Sequence, residues 1–166
     1  MVKAEVTMSN ISKEDILLVQ KQWSDGLVAI GRAYTHDEDY LMIAKTLLDN
    51  LYGYHINDGK VLFKPTKAAQ VPFRGTYESA LSYFIGNNEQ FPEDRGFALA
   101  PWINIEFHNH DIYYHGDLVI AMGYYLFTSA ANEVTKVEYT FGYIKDDQDQ
   151  LKIIVHHSSL PFSIDA

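Results

Sequence analysis

Four consecutive residues near the end of the chain, His156, His157, Ser158 and Ser159, carry the side chains best able to do chemistry. They stand in IIVHHSSLPF (153–162), whose β-branched, apolar flank reads as a strand. An imidazole titrates near neutral pH and can hold or pass a proton, while a hydroxyl both donates and accepts hydrogen bonds. A buried strand keeps such groups only when each finds a partner, so by themselves both histidines read as hydrogen-bonded structural residues. A second cluster, Glu106, His108, His110 and His115 in EFHNHDIYYH, has a different potential. His-x-His on a strand turns both rings to one face, a geometry that suits zinc. Ile103, Ile105 and Phe107 occupy the opposite face, so the histidine face, shared with Trp102 and Asn104, reads as an outward, solvated strand end and no metal is expected.

Strand alternation decides which half of HHSS faces the core. Ile153, Val155, His157 and Ser159 share one face, and Lys152, Ile154, His156 and Ser158 share the other. In KVEYTFGYI, Val137, Tyr139, Phe141 and Tyr143 form an apolar face. Matching apolar face to apolar face turns His157 and Ser159 inward and leaves His156 and Ser158 for the outer face or a partner subunit. A bulge would reverse the assignment, so both pairs stay in play.

The elements that must position these groups follow from the rest of the chain. At 166 residues, with 47% hydrophobic and 14% aromatic residues, it suits one domain (1–166, core about 12–162) with a substantial core. A net charge of −9 argues against nucleic acid and anionic membrane as partners. With no cysteine, disulfides, thiolate metal sites and cysteine nucleophiles are excluded. No apolar run reaches membrane-spanning length, and MVKAEVTMSN lacks the apolar core of a signal peptide, so a soluble protein is expected, cytoplasmic or a mature periplasmic form. No metalloprotease or zinc-finger spacing, phosphate loop or nucleophile elbow is present.

Ile16, Val19, Trp23, Leu27, Ile30 and Tyr34 make one helical stripe, with Ser12 and Asp15 as a capping box and Gly26 and Gly31 as points of close packing or a break. DEDYLMIAKTLLDNLYG reads as a second helix stopped by Gly53, YHINDGKVLFKP as a hairpin around Asp58-Gly59, and TYESALSYFIG as a short third helix. Strands are expected near 97–109, 117–128, 134–144 and 150–158, with turns at Gly116, Ala131-Asn132 and DDQDQ. Helices early and strands late give α+β: a curved antiparallel sheet wrapped around N-terminal helices. That order matches the cone-shaped nuclear transport factor 2-like fold, which hosts enzymes and binding modules alike.

Seven blocks, QKQWSDGLVAIG, DGKVLFKPTKA, FRGTYESALSYFIG, EDRGFALAPW, AMGYYLFT, VEYTFGY and VHHSSLPF, occur in this order between about residues 20 and 162. Together they resemble the iota class of carbonic anhydrases. The resemblance implies reversible hydration of carbon dioxide to bicarbonate and a proton, no cofactor, and bicarbonate held by hydroxyl groups; some diatom relatives are associated with manganese. Carried over by motif, the site is Thr66 of KPTKA, Tyr83 of LSYF and a serine of HHSS with a neighbouring histidine. Alternation favours Ser159 and His157, with Ser158 and His156 as the other choice; Tyr139, Phe141, Tyr143 and Trp102 are candidates for the apolar wall. A neutral His157 would take or relay the water's proton. Phe162 stands where the family pattern has Tyr, beyond the site. A homodimer is expected, as in other cone folds. The second function reading is a small-ligand-binding or oligomerisation domain of the same fold. A third is an isomerase or dehydratase, which needs a carboxylate in the cavity, whereas Glu106 and Glu138 read as outward. A fourth is a metal enzyme built on His108 and His110.

Overall fold

The apolar stripe of the first helix is buried as its spacing predicts. In the computed structural model, which describes residues 10–165, α1 (Lys13–Thr35) buries Ile16, Val19, Trp23, Leu27 and Ile30, while Tyr34 at its end is 47% exposed. Its start is closed by the expected capping box: the Ser12 hydroxyl accepts from Asp15 N and the Asp15 carboxylate accepts from Ser12 N. Both glycines lie inside the unbroken helix at close approaches. A Cβ on Gly26 would meet Leu47 Cδ1 at 2.2 Å, and one on Gly31 would meet Ala98 O at 2.7 Å. The second approach seats the segment carrying Phe97 directly on α1.

Helix α2 (Tyr40–Leu51) packs on α1. It ends at Tyr52, whose extended backbone (φ −105°, ψ 145°) bridges in parallel to Ile153. Gly53 is therefore not the stop; it opens the first of two short 3-10 turns, Gly53–His55 and Asn57–Gly59. The expected hairpin around Asp58-Gly59 does not form. Both residues take positive φ (59° and 74°), so the tight turn is real. The strand that follows, β1 (Leu62–Lys64), instead pairs in parallel with the end of the chain, Phe63 opposite His156. Helix α3 (Tyr77–Ile85) begins at a Thr76–Ser79 capping box and stops at Gly86 (φ 66°).

The remaining strands are β2 (Trp102–His115), β3 (Leu118–Ser129), β4 (Val134–Lys145) and β5 (Leu151–Ser159), turned at Gly116, Asn132 and Asp149, all with positive φ. They form an antiparallel meander, and β1 adds a parallel edge to give the order β1-β5-β4-β3-β2. This is the expected α+β arrangement, with an open five-stranded sheet. Its inner face meets Trp23, which packs edge-on against Phe107, Phe127 and Phe141.

Three bulges redirect side chains. Trp102 and Asn104 pair with Ser129 and Thr128, so Ile103 is skipped and Trp102 turns inward, 7% exposed, rather than sharing the outer face with Asn104. Asn109 and Asp111 pair with Gly123 and Met122, so His110 is skipped. Gly142 and Tyr143 pair with Val155 and Ile153, so Ile154 is skipped.

A candidate active site on the inner face of the sheet

The bulge at Ile154 reverses the facing that simple alternation assigns to HHSS. His156 and Ser158 point into the core, 2% and 1% exposed, whereas His157 is exposed and Ser159 half-buried on the outer side. The inward pair is thus His156 and Ser158, not His157 and Ser159, because one unpaired residue shifts the alternation by one.

The His156 ring lies between Phe141 (centroids 4.0 Å apart) and Phe63 (4.7 Å), nearly parallel to both, with the Trp23 ring perpendicular to it at a centroid distance of 5.7 Å. Its two nitrogens face two sets of hydroxyls. Nδ1 is 2.8 Å from Tyr52 Oη, which accepts the Trp23 indole N–H at 2.9 Å. Nε2 is 3.0 Å from Ser158 Oγ and 3.1 Å from Tyr125 Oη, and those two hydroxyls hydrogen-bond to each other. Burial, and then the neighbouring His157, holds the imidazole pKa well below its ordinary value, so the ring is neutral. Burial also pushes the Tyr52, Tyr83 and Tyr125 hydroxyls up, which keeps them protonated donors.

Thr66 and Tyr83 come from the other side. Thr66 follows β1, and Tyr83, 5% exposed, sits on the buried face of α3. Tyr83 Oη accepts Lys67 N–H at 3.2 Å, and Thr66 lines the same cavity beside it. The loop between β1 and α3 is clamped in place by charge. Arg74, fully buried, donates two hydrogen bonds of 2.7 Å to the Asp94 carboxylate and others to Ser79 O and Val71 O, and stacks over Phe91. The Glu93 carboxylate accepts Ala69 N–H and Val71 N–H, and those bonds hold its pKa below the usual range. Arg74 N–H returns to Phe63 O at 2.7 Å, which ties the loop back to β1.

Thr66, Tyr83, Tyr125, His156 and Ser158 line one cavity together with Trp23, Phe63, Pro65, Phe84 and Phe97. A water molecule's centre can range over only about 10 Å³ within it, roughly the room for one water. No carboxylate lines this cavity, so the general base of an isomerase or dehydratase is not provided there; Glu106 and Glu138 are exposed, as expected. Apolar walls with several hydroxyl donors suit a small planar molecule with oxygen atoms at its ends.

None of the four expected wall residues lines this cavity: Phe141 stacks on the His156 ring and Tyr143 stacks on Phe141 behind it. Tyr139 is buried, but its hydroxyl donates to Asn109 Oδ1, which is paired with Gln20, so it belongs to a separate polar cluster. Trp102 donates its indole N–H to Phe97 O and lines a neighbouring groove that shares Tyr83 and Phe97 with the cavity. Tyr125, Tyr52, Trp23 and Phe63 also surround His156, and no motif in the sequence marks them as site residues. Val119, Ala121, Tyr125 and Phe127 alternate along β3, and that pattern does mark Tyr125 as inward.

The histidines of β2 do not converge. His108 Nε2 lies 2.8 Å from Glu106 Oε1, off the line of a hydrogen bond, and its ring stacks on Tyr124. His110 sits in the bulge, which breaks the shared face of His-x-His. Among the described residues, no group of three or more His, Asp or Glu side chains is placed to hold a metal ion.

Comparison with known proteins bears on the same site. The profile of the metal-independent carbonic anhydrase family matches residues 14–160. A metal-independent carbonic anhydrase from Nostoc sp. (strain PCC 7120) is 38% identical over 164 residues, covering 97% of this chain and 79% of that protein. The crystal structure of a cyanobacterial iota-carbonic anhydrase complexed with bicarbonate superposes with a TM-score of 0.89 at 38% identity, covering 98% of this chain and 99% of the other. A protein of the nuclear transport factor 2-like family from Streptomyces avermitilis shares the fold alone, with a TM-score of 0.52 at 17% identity over 90% of this chain and 96% of its own.

Proposed function

The chain belongs to the metal-independent carbonic anhydrase family, and on that premise we propose that Thr66, Tyr83, Tyr125, His156 and Ser158 form the site at which carbon dioxide and water combine, their side chains parting to admit more than the one water the cavity holds at rest. The reaction is the reversible hydration of carbon dioxide to bicarbonate and a proton, without a metal ion. One observation carries the site assignment: these five polar side chains, drawn from β5, β3, α3 and the loop after β1, line a single small cavity with aromatic walls.

Carbon dioxide has no net dipole, so walls built from Trp23, Phe63, Phe84 and Phe97 admit it without a desolvation penalty. In hydration, the water oxygen adds to the carbon, an electron pair of a C=O bond moves onto its oxygen, and the proton from the broken water O–H bond passes to solvent water, leaving bicarbonate. Hydroxyl groups already aimed at that oxygen hold it more tightly as its charge grows. A metal ion would lower the pKa of the attacking water directly; neutral hydroxyls do not, so the acceleration rests on positioning and preorganised dipoles. Ser158 and His156 replace Ser159 and His157 in this assignment because only the former pair reaches the cavity.

The test is stopped-flow carbon dioxide hydration on protein stripped of metal with chelator. Full turnover of the stripped protein and loss of turnover in Ser158→Ala with Tyr83→Phe are expected. Normal turnover in the double variant would remove the site assignment. Activity that vanishes on stripping and returns with zinc or manganese would move the chemistry away from the hydroxyls.

We further propose one carbonic anhydrase-like domain with a core of about 12–162, supported by the family match over 14–160 and by one contiguous hydrophobic core. A homodimer through the outer sheet face is supported by the exposed Ile103, Tyr113, Met122 and Val134 of β2, β3 and β4. Sedimentation equilibrium checks it, and a monomer at high concentration would end it. Action in an aqueous compartment, cytoplasm or periplasm, is supported by the net charge of −9. Among the described residues, no helix is long and apolar enough to cross a membrane.

A further inference from the structure

Tyr52 lies outside the cavity, on the far side of His156, and nothing in the reaction requires it to touch substrate. Its position is nevertheless fixed from several directions. Its backbone bridges Ile153 on β5, three residues before His156, and its ring packs on Tyr54, Phe63 and Phe84. The ring is 1% exposed. Its hydroxyl has two partners among the described residues, Trp23 Nε1 at 2.9 Å and His156 Nδ1 at 2.8 Å.

These two contacts determine where every hydrogen goes. An indole N–H can only donate, so Tyr52 Oη accepts from Trp23. The Tyr52 hydrogen then has one acceptor in reach, His156 Nδ1. Were Nδ1 protonated, Tyr52 would receive two donors and its own buried hydrogen would have no partner, which a buried hydroxyl does not tolerate cheaply. Nδ1 therefore carries the lone pair, and a neutral ring must carry its proton on Nε2.

We infer that Tyr52, backed by Trp23, is a positioning residue that locks His156 as an Nε2–H donor, so that His156 orients the cavity hydroxyls rather than accepting the proton of the attacking water. Nε2–H points at Ser158 Oγ and Tyr125 Oη, and it has no lone pair to offer back. Ser158 and Tyr125 share one hydrogen bond, which uses one of their two hydrogens. The other hydroxyl hydrogen is left for the cavity, where an oxygen of carbon dioxide or bicarbonate can accept it. The opposite tautomer would draw that hydrogen back to Nε2 and leave the cavity one donor short. This inference rests on the reading that the cavity carries the reaction, and its first readout does not depend on activity.

The experiment is nitrogen-15 NMR of histidine-labelled wild-type protein, with the His156 resonances assigned by their loss in His156→Gln, followed by the same spectra and hydration kinetics on Tyr52→Phe. The expected wild-type spectrum has an Nε2–H imidazole with a bare, hydrogen-bonded Nδ1 at neutral pH. In Tyr52→Phe, which keeps the ring and loses the hydroxyl, the two tautomers should mix and kcat should fall about tenfold or more with KM little changed, as when a buried histidine loses the partner that orients it. A wild-type spectrum with the proton on Nδ1 overturns the lock even if the variant does not fold. Tyr52→Phe with an unchanged tautomer and unchanged kcat overturns the role of Tyr52. A changed tautomer with unchanged kcat, where Ser158→Ala is inactive, overturns the catalytic meaning of the lock and leaves the site intact. A fully active Ser158→Ala overturns the site itself and this inference with it.

Discussion

Gly142 of β4 pairs with Val155 of β5, while its neighbour Tyr143 pairs with Ile153, so that Ile154 has no partner of its own. The two strands meet tightly there: a Cβ on Gly142 would stand 3.0 Å from Val155 Cβ and 3.2 Å from Val155 Cγ2. Beyond this point β5 runs with His156 and Ser158 turned inward, and β1 secures it from the other edge by pairing Phe63 with His156. The facing of the site is thus set by one extra residue and by the absence of a side chain across from it.

Gly142→Ala should therefore move β5 as well as strain it. The added methyl meets a β-branched residue with little freedom to yield, so a loss of about 1–3 kcal/mol is expected, seen as a Tm lower by several degrees. Turnover should fall further than stability alone explains, because His156 follows Val155 directly. Thermal unfolding and stopped-flow hydration on the same preparation check this. Unchanged Tm and turnover would mean that the strand pair has slack.

Ser158 and Ser159 are neighbours with opposite fates. Ser158→Ala removes a hydroxyl that touches Tyr125 and His156 at the cavity wall, and kcat should drop by about 100-fold, the scale seen when one preorganised donor is lost. Ser159→Ala alters an outward side chain and should stay within about twofold of wild type. Equal losses in the two variants would show that the bulge does not set the facing in solution.

Much of the scaffold was legible in local pattern. The α1 stripe, the Ser12–Asp15 box and the turns at Gly116, Asn132 and Asp149 depend on residues a few positions apart, and the chain forms them as read. What failed was what depends on distant partners. LFK of β1 looks like half of a hairpin, but its partner is Val155 to His157 at the other end of the sequence. Simple alternation read the wrong half of HHSS as inward, kept His108 and His110 on one face and placed Trp102 outward, because each bulge is a property of two strands and leaves no mark in one. Thr66 and Tyr83, which the resemblance implies, stand in a loop and on a helix, so their place at the cavity does not depend on strand alternation.

The loop that carries Thr66 depends on Arg74 and Asp94, whose side chains are 0% and 1% exposed. Asp94→Ala leaves a buried guanidinium with no carboxylate nearer than Glu93, 3.9 Å away, and Ser82 Oγ without its acceptor. A loss of about 3–5 kcal/mol is expected by denaturant unfolding. Arg74→Met combined with Asp94→Leu should cost clearly less than Asp94→Ala alone, because no charge is then stranded. A smaller loss in the single variant than in the pair would mean that the Arg74–Asp94 contact itself, rather than the uncompensated charge, stabilises the loop.

The burial that keeps His156 neutral also gives folding stability a pH dependence. An unfolded-state histidine titrates near pH 6.5, whereas the folded-state pKa of His156 lies well below that value, chiefly because the ring is buried between Phe63 and Phe141. Above about pH 6.5 the residue is neutral in both states, and its contribution to stability is fully present. As the pH falls below 6.5 the unfolded chain takes up a proton that the folded chain refuses, so stability declines by up to about 1.4 kcal/mol per pH unit until the folded-state pKa is reached. Urea unfolding at intervals between pH 7.5 and 5 measures that slope, and its difference from His156→Gln isolates this residue from the other titrating groups. The wild-type slope should be the steeper by about one proton's worth, since the variant has nothing to titrate at that position. Parallel slopes would mean that His156 takes its proton without unfolding, which the aromatic sandwich around its ring does not permit.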